Sequence, residues 1–135
     1  MTHPTPPKPV ADALAKYPAA LQAQFATVRA MIFDIAAQTE GVGPLTETLK
    51  WGEPAYLTEA SRSGSTIRLG TVKSARDRCA VLFNCQTTLV EGFRDQFNGV
   101  FTFDKNRALI LDQDIPREAL AICLHAALTY HRRKS

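Results

Sequence analysis

The feature that most constrains this chain is a change of hydrophobic period near residue 50. Before it, Leu21, Phe25, Val28, Ile32 and Ile35 recur in steps of four and three. A turn of 3.6 residues brings such positions onto one face, so a helix is predicted from Pro18 to Glu40. Pro18 fits its first turn, where the missing N–H costs nothing, and Gly41 with Gly43-Pro44 ends it. After residue 50 the apolar residues alternate instead, and strands are expected.

Five strand segments follow a turn-like Pro44 to Leu49. Glu53 to Thr58 is the first, and Pro54 confines it to a sheet edge or a bent start, because proline cannot donate to a ladder. Ser61 to Gly64 makes a turn into Ser65 to Val72. Arg78 to Cys85 sets Cys79, Val81, Phe83 and Cys85 on one side and Ala80 and Leu82 on the other, the pattern of an interior strand. Thr88 with Glu91 matches a capping box for a short helix to Phe97. Val100 to Phe103 and Arg107 to Leu111 then flank Asp104-Lys105-Asn106, a good turn sequence. Pro116 opens a last helix with Leu120, Leu124, Ala127 and Leu128 as its stripe, ending in the basic His131 to Lys134. Short connections between successive strands imply a mostly antiparallel sheet of about five strands, with the N- and C-terminal helices on one face: an α+β domain. Residues 1–9, with four prolines, read as a flexible arm, and 10–135 as the single domain.

Composition excludes several classes. At 135 residues the chain is long enough for one core without staples. Sixteen Lys and Arg against thirteen Asp and Glu leave +3, too weak a bias to imply nucleic acid. Cys79, Cys85 and Cys123 lack paired spacing and fit reduced thiols. No apolar run reaches the ~20 residues that span a bilayer, and the N-terminus lacks a secretory h-region. The expected compartment is the cytoplasm. No nucleophile elbow, phosphate loop, dinucleotide fingerprint or helical zinc pair occurs, so no catalytic residues are assigned and no enzyme is expected.

The run Leu49-Lys-Trp-Gly-Glu-Pro-Ala-Tyr56, the later Phe103-Asp-Lys-Asn-Arg-Ala-Leu-Ile-Leu111 and the Ile115-Pro116 start of the last helix resemble the YdhG-like family of domains of unknown function. The resemblance covers about residues 15 to 131 by order of elements. It implies a frataxin-like arrangement, two terminal helices against an antiparallel sheet. It also implies an iron-chaperone role, proposed for part of that family. The chain departs from an iron-binding ridge, because its long helix offers only Asp34 and Glu40, and a hard cation needs several converging oxygens.

Two functions from different classes follow. The first is a non-enzymatic binding module for a small molecule or protein partner. Its surface is Lys50, Trp51, Glu53 and Tyr56, since aromatic rings give large contact area at low entropic cost. Arg68 and Arg107 lie either on a solvated outer face or beside Tyr56 on an open sheet face, where they would hold an anionic group. Trp51 itself is either a core ring at the sheet–helix interface or part of that surface. The alternative is a frataxin-like iron chaperone or metal-delivery protein using Glu47, Glu53 and Glu59, with iron as its cofactor or cargo. Ala23, Ala30 and Phe33 leave the outer side of the long helix apolar, for either a second packing surface or a homodimer contact.

Overall fold

A computed structural model describes residues 3–134, and the side chains of Arg133 and Lys134 within the basic tail lie outside what it describes, as do Met1 and Thr2 of the arm. In chain order the elements are α1 (Lys8–Ala15), α2 (Ala19–Gln38), β1 (Thr46–Lys50), β2 (Glu53–Leu57), β3 (Ile67–Val72), β4 (Ala75–Phe83), α3 (Leu89–Gln96), β5 (Thr102–Asp104), β6 (Ala108–Ile110) and α4 (Arg117–Leu128), with a 3-10 turn over Tyr130–Lys134. The class is α+β. The sheet has six strands among the described residues, in the order β1-β2-β3-β4-β6-β5, and every neighbouring pair is antiparallel.

The sixth strand is β1. It occupies Thr46–Lys50, overlapping the Pro44 to Leu49 segment expected to be a turn, and it pairs along its length with β2. This moves β2 off the sheet edge, and Pro54 is tolerated there for a geometric reason. Lys50 faces Glu53 across a two-residue turn, so Leu49 and Pro54 form the next, non-hydrogen-bonded pair. The nitrogen of Pro54 then points toward β3, where the ladder begins only at Ala55. No donor is missed.

Strand alternation sorts the sheet into two faces. Tyr56, Ile67, Leu69, Cys79, Val81, Phe83 and Leu109 join the core with Phe25, Val28 and Ile32 of α2, Leu89 and Phe93 of α3, and Leu120 and Leu124 of α4. Leu21, Phe25, Val28 and Ile32 of the long-helix stripe are therefore buried as its period predicts, Ile35 packs partly buried against the same core, and the helices share one face. The reverse face is built low. Ala55, Gly70, Ala80 and Ala108 occupy it with Val72, Leu82 and Ile110, and Arg68 stands directly between Ala55 and Leu82 across the strands.

Several local readings need correction. The Thr88 hydroxyl makes no cap; Thr87 Oγ1 accepts from the Leu89 N–H instead. Strand β4 ends at Phe83, so Cys85 falls beyond it and is exposed rather than sharing the core face of Cys79. Phe33, read as part of an apolar outer side, packs edge-on against Tyr56 and lies beneath the Arg29 guanidinium. Residues 3–7 run to the start of α1 at Lys8 and touch α2, through His3 Nε2 at 2.7 Å from Asp34 Oδ1 and Arg29 Nη2 donating to the Pro4 carbonyl at 2.6 Å.

Candidate functional site

The β1–β2 hairpin places the site. A two-residue connection favours the mirror-image turns that match the strand twist, and the type I′ form needs positive φ at both central positions. Trp51 has φ 57° and Gly52 φ 77°. Glycine suits the second position. At the first, asparagine, aspartate or glycine is the usual solution, and a left-handed backbone under a bulky side chain costs about 1–2 kcal/mol. Trp51 is also 89% exposed and contributes nothing to the core. Of the two readings of this ring, burial at the sheet–helix interface is wrong. Trp51 thus combines an unfavoured left-handed backbone with an almost fully exposed ring.

Beside it lies an open cleft of about 320 Å³, lined by Lys50, Trp51, Thr66, Arg68, Phe83, Asn84, Cys85 and Arg107. Four of the six binding candidates named from sequence thus converge, from three separate parts of the chain. Lys50 ends β1, Arg68 comes from β3, and Arg107 follows the β5–β6 turn. That turn is held in place by Asn106, whose side-chain amide donates to the Cys85 and Thr87 carbonyls. Asp104 and Asn106 are therefore more than turn formers.

Glu53, the fifth candidate, controls Arg68. Arg68 Nη1 donates to Glu53 Oε1 at 2.8 Å, with both side chains mostly shielded. The carboxyl lies over Gly70, and a Cβ at that position would land on it. Burial pushes the Glu53 carboxyl above its ordinary value, and the positive charges of Arg68 and Arg107 pull it only partway back. Arg107 has its own partner, with Nε donating to Asp104 Oδ2 at 3.1 Å.

Tyr56, the sixth, is not at the surface. It is 0% exposed and faces the core, so it cannot share an open face with Arg68. The physical reason is parity: in β2, Glu53 and Ala55 point to one face while Pro54 and Tyr56 point to the other. Tyr56 instead closes a buried polar network that sequence reading missed. Arg29 grips Glu47 with two hydrogen bonds, Nε to Oε2 at 2.6 Å and Nη2 to Oε1 at 2.8 Å. The Tyr56 hydroxyl donates to the same Glu47 Oε2 at 2.8 Å. Desolvation first, then the neighbouring carboxylate, pushes the phenol well above its usual range, so it stays a donor. Arg29 is likewise held more strongly protonated by its bonds to Glu47.

These contacts also dispose of the three carboxylates considered for metal. Glu47 is committed to Arg29 on the core face, Glu53 to Arg68 on the reverse face, and Glu59 is exposed in the turn after β2. They do not converge, and no group of three metal-ligating side chains occurs among the described residues. Cys79 and Cys123 are buried, with their thiols pushed up to about 12 by desolvation.

Two larger hollows, each of about 450 Å³, lie between α3 and α4 and beside the start of α2. The first mixes Glu91 and Asp95 with Ile122 and Ala126, and the second holds Arg78 already paired with Asp112. Neither gathers like charge around an exposed ring. No helix among the described residues is long and apolar enough to cross a membrane. The chain matches no family model, no curated protein and no solved structure.

Proposed function

We propose that this domain is a non-enzymatic binding module for a small anionic molecule, held in the cleft between the β1–β2 hairpin and the β5–β6 turn. One observation carries the reading: Lys50, Arg68 and Arg107 line a single concave site whose rim is the strained, exposed Trp51. Guanidinium groups recognise carboxylate and phosphate through planar forks of donors, and each arginine here spends one N–H group on its carboxylate. A volume of about 320 Å³ falls near the small end of the roughly 300–1,000 Å³ typical of ligand sites. Iron delivery is less well supported, because the carboxylates it needs are bound to arginines on opposite faces of the sheet.

The sole tryptophan makes the test direct. Titration of the protein with benzoate, followed by Trp51 fluorescence at low ionic strength, is expected to give a saturable change. Neutral benzamide should give none, and K50A/R68A should abolish the benzoate response. Equal responses to benzoate and benzamide, or a response untouched by that double variant, would remove the anion-binding reading.

A further inference from the structure

Three cations line the cleft, but two already face a carboxylate. Arg68 is bonded to Glu53 and Arg107 to Asp104, while Lys50 has no ionic partner among the described residues. With all five groups ionised, the site carries one uncompensated positive charge. A ligand with one negative charge neutralises it. A second negative charge placed in the cleft would find no uncompensated cation, because Glu53 and Asp104 already offset Arg68 and Arg107.

The ring at the rim sets the other half of the chemistry. Trp51 adjoins Lys50 in sequence, and its indole lies almost wholly in solvent while lining the same cleft. A flat ligand ring laid on the indole buries two apolar faces at once, and such stacking tolerates many ring types. Thr66, Phe83, Asn84 and the exposed Cys85 complete the lining.

We infer that the preferred ligand is a flat-ringed molecule bearing a single negative charge, an aromatic carboxylate in chemical class. Its ring rests on Trp51, and its anionic group lies among Lys50, Arg68 and Arg107. This inference rests on the anion-binding reading above. In it Glu53 is the residue that sets charge selectivity, since it occupies Arg68 and offsets the charge a second anionic group would need.

Calorimetry on the full chain with benzoate, acetate and phthalate separates the two levels. Benzoate should bind at least about fivefold tighter than acetate, the lower end of what one aromatic stack supplies, and tighter than phthalate. In W51A the advantage of benzoate over acetate should vanish while acetate is held as before. In E53Q the order of benzoate and phthalate should reverse, because the opposing charge is gone and Arg68 is released. Trp51 is exposed and Glu53 is replaced by its neutral isostere, so a cooperative thermal transition in each variant confirms a folded protein. Phthalate tighter than benzoate in the wild type, or a benzoate-to-acetate ratio unchanged in W51A, would overturn the ligand class while leaving an anion site. Failure of all three to bind would overturn both.

Discussion

Trp51 holds a left-handed backbone that its side chain does not favour, and this gives the site an energetic signature. Where a bulky residue sits at positive φ without packing on the core, replacing it by the residue the turn prefers should stabilise the fold. The variant W51N is therefore expected to raise the stability of the domain by about 1 kcal/mol, read as a higher denaturant midpoint with an unchanged slope. It should also lose the fluorescence-independent, calorimetric gain of benzoate over acetate. A W51N protein no more stable than the wild type would mean that the indole makes compensating contacts, and would weaken the case for an unpartnered ring. At this scale the sequence was only partly legible. Trp51, Lys50, Arg68 and Arg107 were marked by residue type and they do meet in one cleft. Tyr56 was marked for the same reason and is buried. Composition identifies which residues could contact a ligand, but strand parity decides which face each one takes, and parity depends on a register that the two-residue turn fixes.

Among the elements, the helices were the most legible part of the chain. The α2 stripe, the proline starts of α2 and α4 and the glycines after α2 all act where their local chemistry predicts. Strand β1 was not legible, because Pro44 precedes it and its five residues, Thr-Glu-Thr-Leu-Lys, carry one apolar side chain. What secures β1 is a tertiary interaction that no local pattern reveals: Glu47 of this strand reaches Arg29 of α2, 18 residues away, and Tyr56 of β2 caps the same oxygen. Glu47 is only 6% exposed at its side chain and Arg29 11%. Removing one partner of such a pair strands the other charge, so E47A is expected to cost about 3–5 kcal/mol. Y56F removes only one bond to an ionised acceptor and leaves the salt bridge, and should cost about 1.5–3 kcal/mol at most. Equilibrium denaturation of E47A, Y56F and the double variant checks this. The double variant should lose much less than the sum, because the tyrosine hydroxyl has no acceptor left once the carboxylate is gone. Strict additivity would show that the hydroxyl and the carboxylate act independently.

For the molecule as a whole, the sheet order depends on how distant segments are tied together, and one tie is made of two backbone bonds and one serine hydroxyl. The loop between β2 and β3 lies against the C-terminal end of α4, where the last carbonyls of a helix lack internal donors. Here the loop supplies them. The Ser65 N–H donates to the Ala127 carbonyl at 2.8 Å, and Ser63 Oγ donates to the Leu128 carbonyl at 2.8 Å. In return the His131 N–H donates to the Ser63 carbonyl at 2.9 Å. Gly64 lies at the closest approach: a Cβ there would stand 2.5 Å from both the carbonyl carbon and oxygen of Leu128. In sequence this stretch, Ser61-Arg62-Ser63-Gly64, reads only as a turn, since nothing local indicates that a helix end more than 60 residues later will close on it. At Gly70 a new methyl would meet a flexible carboxylate that can swing aside. At Gly64 it would meet backbone, which can yield only by separating the loop from α4. The variant G64A is therefore expected to destabilise the domain by about 1–3 kcal/mol, the usual range for overpacking, and amide exchange should quicken at Ser65 and His131 together, since both bonds open when the loop lifts. A G64A protein of wild-type stability, or exchange quickened at one of those amides alone, would show that the loop and the helix end are not one cooperative unit. Because α4 also carries Leu120 and Leu124 into the main core, loosening this tie frees the end of the helix first and reaches the sheet only through the packing that α4 shares with it.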